Sequence, residues 1–171
     1  MKFAIALTAL AFTATAHADI DEIRDCGWAT DEIERVGIFV TDNWTSFENF
    51  LEAEAGVSIG SCLENRFKTN GNVECDSTEG ACASGGNVNG WASFLSQTMH
   101  ICVDPFLDNI QSGVSDDNQE ACLVALMTHE FGHTCWRGHG TVEDMDNAAF
   151  DWWASRPGKN VTFDLSDCGM D

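Results

Sequence analysis

Three of the chain's five histidines fall between positions 129 and 139, in the stretch Leu123 to Gly140, LVALMTHEFGHTCWRGHG. His129, Glu130 and His133 spell H-E-x-x-H. On an α-helix the two histidines lie one turn apart on the same face, about 6 Å along the axis, where two imidazoles can grip one zinc ion. Glu130 lies about 100° round the helix from His129, near enough to a zinc-bound water to serve as general base without being a ligand. Such an ion lowers the water's pKa to about 7 and polarises a peptide carbonyl, so the pattern carries peptide-bond hydrolysis and lacks only a third ligand.

That ligand is sought downstream. His139 follows His133 closely, and Glu143 and Asp144 come shortly after; all three are allowed zinc ligands. Cys135 is assigned to a disulfide, because an unpaired thiolate would break the even cysteine count and close the open position that a catalytic zinc needs.

The interval from His129 to His139 resembles the zinc signature of the metzincins, H-E-x-x-H-x-x-G-x-x-H. The resemblance implies a secreted metalloendopeptidase with His129, His133 and His139 as ligands and Glu130 as base. Where that family has a glycine this chain has Trp136, so the route from His133 to His139 is expected to differ locally, and Met145 is the only match for the family's methionine turn. The stretch Gly140-Thr141-Val142-Glu143-Asp144 is also similar to the G-T-x-D motif of the aspzincins, which implies Asp144 as the alternative third ligand; the tyrosine of that family has no counterpart, since the chain contains no Tyr. The reading adopted takes His139 as ligand and Asp144 as a carboxylate that receives a ligand histidine's other N–H.

The elements that must position these groups can be read in part. Ala121 to Met127 is apolar on every face, as a central buried helix would be, and Asp116 with Gln119 fits a capping box at its start. Thr30 to Val40 places Ile33, Val36, Gly37 and Val40 on one helical face with Thr30 as N-cap. A second helix opens at Thr45-x-x-Glu48, turns Phe47, Phe50 and Leu51 inward and stops at Gly56; a short third one starts at Ser61-x-x-Glu64 and ends near Thr69. The segment from Cys75 to Gly90 has the composition of a loop, with Cys75 and Cys82 spaced to pin it. Met99 to Val103 reads as a strand ended by Pro105, expected to offer an edge to an extended substrate, with His100 a structural residue on it. A C-terminal helix from Thr141 to Ala154 is expected to pack Phe150, Trp152 and Trp153 against the metal helix, and the tail to be tied down through Cys168.

Composition sets the outer bounds. Residues 1–18 carry Lys2, the apolar run FAIALTALAF and Ala16-His17-Ala18, the pattern of a cleaved secretory signal too short to span a membrane. Residues 19–171 are long enough for a single domain with its own core. All eight cysteines lie there, which in an exported protein implies up to four disulfides. A formal charge of −20 excludes nucleic acid as a partner and suits a soluble surface. The expected protein is therefore an α+β, zincin-like domain with a small sheet packed on helices around a central active-site helix, stabilised by disulfides. It is expected to be secreted and monomeric and to cleave peptide or protein substrates without a membrane partner. The rival reading is a non-catalytic secreted domain that captures metal or binds protein, against which Glu130 argues, because storage needs no base beside the ligands.

Overall fold

A computed structural model describes residues 20–76, 80–82, 88–111 and 113–170. The signal-like segment lies outside these residues, as does most of the Gly- and Ser-rich stretch after position 76. The order of elements is β1 (Glu22–Arg24), α1 (Thr30–Asp42), α2 (Trp44–Glu54), α3 (Gly60–Asn65), β2 (Asn72–Asp76), β3 (Gly90–Ala92), β4 (Thr98–Cys102), α4 (Asp108–Gln111), α5 (Asp116–Thr134) and α6 (His139–Ala154). Helices and one small four-stranded sheet make a mixed α+β architecture.

Helix α5 runs through the middle. From Ala121 to Met127 no side chain is more than 1% exposed, because α1, α6, β3 and β4 all pack against it. The all-round apolar run requires that arrangement, since a helix without a polar face has nothing to offer water. Its cap is Ser115, whose Oγ accepts from the Asn118 N–H, one residue ahead of the Asp116–Gln119 box read from the sequence. Gln119 is drawn inward instead and donates to the Ile110 carbonyl.

The first helices follow their patterns. Ile33, Val36, Gly37 and Val40 are buried on α1, and Phe47 and Leu51 on α2, with Phe50 half-buried. No side-chain cap forms at Thr30, because a short turn at Gly27–Ala29 runs straight into α1 and supplies the backbone that a cap would replace. Nor does α2 begin with a capping box: it starts at Trp44, and the Asn43 side chain bonds the Phe39 carbonyl and Arg156.

The sheet differs from the expectation in two ways. Its order is β1-β2-β4-β3, with β1, β2 and β4 parallel and β3 antiparallel to β4. The strand at Met99 is therefore interior, and among the described residues the edge strand beside α5 is β3. Part of the supposed loop is also strand, because Val73 and Cys75 alternate inward along β2; five residues, NVECD, with only two apolar side chains gave too short a pattern to detect.

Four disulfides join Cys26–Cys75, Cys62–Cys135, Cys82–Cys102 and Cys122–Cys168, leaving no free cysteine. Cys75 and Cys82 are thus not partners: Cys75 points into the core from β2, where Cys26 meets it. Cys135 and Cys168 are bonded as expected. Such a set points to an oxidising, extracellular-type environment, and among the described residues no helix is long and apolar enough to cross a membrane.

Helix α6 lies along α5, as expected, but its tryptophans turn to the first two helices. Trp152 meets Phe47 at 4.8 Å and Trp153 meets Phe39 at 5.0 Å, both edge to face. The aromatic chain continues from Phe47 to Phe67 and from Phe67 to Phe131 on α5, so the residue beside Glu130 is braced by the core. The tail is anchored at Asn118, whose Oδ1 accepts from the Thr162 and Phe163 N–H groups.

Because Cys122 and Cys168 join the central helix to that tail, replacing both by alanine should lower unfolding free energy by about 2–5 kcal/mol. Urea denaturation of the oxidised protein measures it, and thiol titration of the unreduced, denatured wild type should find no reactive cysteine.

Candidate metal centre

The last two turns of α5 carry His129, Glu130 and His133, and the first residue of α6 is His139. Between the helices the chain makes a Schellman turn. The Arg137 N–H bonds the Gly132 carbonyl at 3.1 Å and the Trp136 N–H bonds the His133 carbonyl at 3.0 Å. The residue at the left-handed position of that turn is Trp136, with φ +64°. Trp136 was expected to avoid a positive φ; instead it adopts the conformation in which a glycine would be unstrained, at a cost on the order of 1–2 kcal/mol.

The turn folds α6 back onto α5 at close range. A Cβ on Gly132 would lie 2.7 Å from Val142 Cγ1, so any other residue there would force Val142 or the helix to shift. It brings one ring nitrogen each of His129, His133 and His139 within 4.8 Å of one another, close enough to bind a metal ion. Helix α6 turns His139, Val142, Glu143 and Asp146 toward α5 at the i, i+3, i+4, i+7 spacing of one face.

Asp146 Oδ2 lies 2.6 Å from His129 Nδ1, and the Arg137 carbonyl lies 2.9 Å from His133 Nδ1. Each acceptor fixes the tautomer with the proton on Nδ1 and leaves Nε2 for a ligand. Asp144, expected in that role, is exposed, because two residues round a helix is most of the way to its opposite face. The group that approaches is formed by the three imidazoles; Glu143 lines the cleft beside them and Asp144 does not. The i, i+7 relation between His139 and Asp146 was the signal in the sequence that could have identified the right carboxylate. Met145, the match for a methionine turn, is buried within α6 and makes no turn.

Glu130 is 4% exposed, and its Oε2 has no hydrogen-bond partner among the described residues. Burial pushes its carboxyl up to about 7, against the pull of His129. Gly90 of β3 allows this position, since a Cβ there would come 3.0 Å from Glu130 Oε1. Burial also pushes Asp146 up and His133 down. For His129 burial is the largest influence and opposes charging, yet Asp146, Glu130 and Glu143 together outweigh it and hold the ring above its ordinary value.

These groups open into a cleft of about 1120 Å³. Gly90, Trp91 and Ala92 of β3 form one wall, and among the described residues no lysine or arginine lines the cleft. Strand β3 is held by Trp91, which stacks on His100 with ring centroids 3.8 Å apart. His100 also lies 3.8 Å from Asp76 Oδ2, which gives it the structural role expected. No family model, curated protein or solved structure matches this chain.

The donor set suits a metal: two imidazoles have their second nitrogen already engaged, and a third stands at the mouth. Replacing Asp146 by alanine should weaken metal binding about 10–100-fold, as loss of a ligand's hydrogen-bond partner does. Asp144→Ala should leave affinity unchanged. Competition of zinc-loaded protein against a chromogenic chelator measures both.

Proposed function

We propose that the chain is a secreted zinc-dependent endopeptidase with a zincin-like site. The observation that carries this reading is the Glu130 carboxylate, buried and without a partner on Oε2, between two histidines of the triad and open to a cleft walled by an edge strand. A site that only stored metal would gain nothing from an unpaired carboxylate beside its ligands, since burying one without a partner is costly.

His129, His133 and His139 would hold the ion; three neutral imidazoles leave a fourth tetrahedral position open and suit zinc better than the oxygen-seeking calcium or magnesium. When bound, zinc would supply Lewis acidity toward the peptide carbonyl and would lower the pKa of a bound water to about 7. Glu130 removes a proton from the attacking water and returns it to the leaving amine nitrogen, a task matched by a carboxyl whose pKa burial has brought near neutrality. Strand β3, the edge strand here among the described residues, would present its outer side to an extended peptide that adds to the sheet by backbone pairing, and Gly90 keeps that strand close to Glu130. Asp146 and the Arg137 carbonyl hold the two α5 imidazoles in register.

The four disulfides fit export, with residues 1–18 as the cleaved signal. The interval from His129 to His139 supports the metzincin resemblance over the aspzincin one.

Glu130→Gln keeps the shape and removes the base. Hydrolysis of an unstructured protein such as casein should fall at least about 100-fold, while bound zinc, measured by atomic absorption, stays at one per chain. Retained activity would assign the base elsewhere, and metal-loaded wild type inert on broad peptide mixtures would leave the binding-protein reading standing.

A further inference from the structure

Among the described residues three large hydrophobic side chains are exposed: Phe94 (54%), Leu95 (72%) and Trp136 (66%). They are not scattered. Phe94 and Leu95 are consecutive, and Phe94 stacks on Trp136 with centroids 5.7 Å apart and planes 15° from parallel. Phe94 also lines the cleft and stands edge-on to His133, 6.2 Å between ring centres.

The backbone beneath two of the three is strained. Leu95 has φ +75° at the third position of a turn closed by the Ser96 N–H on the Ser93 carbonyl, and Trp136 has φ +64°. Both are positions where glycine is the ordinary choice. Elsewhere among the described residues the rule holds: the other left-handed residues are seven glycines and Asp25, whose short side chain tolerates the conformation. The two departures carry large apolar groups, both are exposed, and both flank one ring at the edge of the metal site. Core packing explains neither, since Leu95 and Trp136 leave most of their surface exposed and strain the backbone. Strain of this kind collects where a site requires it.

We propose that Phe94 and Trp136, with Leu95 beside them, form the binding surface for an apolar side chain of the peptide substrate, next to the metal on the His133 side. This rests on the peptidase reading and adds the substrate class: peptides with a large apolar residue near the scissile bond. The surface is continuous with the cleft, so a chain lying along β3 can set a side chain on these rings. The stacked pair leaves an outer ring face and edges free, which suit an aromatic or branched aliphatic group.

The probes are the peptides acetyl-Ala-Ala-X-Ala-Ala-amide with X as Phe, Leu, Ala or Lys. Binding is measured by calorimetry on zinc-supplemented Glu130→Gln protein, and kcat/KM on the otherwise unaltered enzyme. The Phe and Leu peptides should exceed the Ala peptide by about tenfold in both, the discrimination one apolar contact supplies. In Trp136→Gly and Phe94→Ala the ratio should fall to within about twofold. Trp136→Gly should also melt about 2–4 °C higher, because glycine relieves the turn. Equal binding of all four peptides, a preference for Lys, or a ratio unchanged in both variants would overturn the proposal. A lower melting point in Trp136→Gly would assign the tryptophan to folding and overturn it as well. A binding preference without any hydrolysis would support this surface while refuting the peptidase reading, so the two can fail separately.

Discussion

The site depends on how near α6 can lie to α5. Gly132 sets that distance, since even one methyl group there would collide with Val142. At this range Asp146 reaches His129 and His139 reaches the pair on α5. Push the helices apart by the width of a side chain and the motif on α5 would still read H-E-x-x-H, but its third imidazole and its orienting carboxylate would be out of reach. The tryptophans of α6 hold the far end of that helix on Phe39 and Phe47, so the close approach is imposed from both ends.

Much of this was legible because it is local and periodic. One-turn spacing placed His129 and His133 on one face, and the unbroken apolar run before them predicted a helix buried on all sides. The errors share a different origin. Which strand stands at the edge is a matter of order in the sheet, and β3 at three residues is too short to leave a pattern. The partners of Cys75 and Cys82 depended on β2, itself hidden in polar sequence. Asp144 was given the role that Asp146 fills because motif spacing was read along the chain, when the face of α6 was what decided. Trp136 was misjudged for a further reason: the rule that bulky residues avoid left-handed backbone is energetic, and a fold can violate it.

The charge balance is also organised by structure. All seven basic residues beyond Lys2 bond protein groups: Arg35 and Lys159 converge on the buried Glu120, Arg156 ties α6 to Asn43 and Ser46, and Arg137 bonds the Ser58 carbonyl. Arg24 and Lys68 pair with Glu74 and Glu64, and Arg66 reaches Thr134 at the end of α5. The cations are thus spent on internal joints, and the surface keeps its excess of carboxylates, which favours solubility.

The bond between Cys62 and Cys135 has a thermodynamic consequence. It clamps the end of α5 where the chain turns to offer the Arg137 carbonyl to His133, so the covalent link and the imidazole share one piece of backbone. Two equilibria that act on one turn are reciprocal: whatever free energy the closed disulfide adds to ion binding, a bound ion must add to the disulfide's resistance to reduction. Both its cysteines are half-buried, whereas the other three bridges are buried in the core, so it is also the bridge a reductant meets first. An ion held by these histidines would then make the most exposed bridge among the described residues harder to reduce.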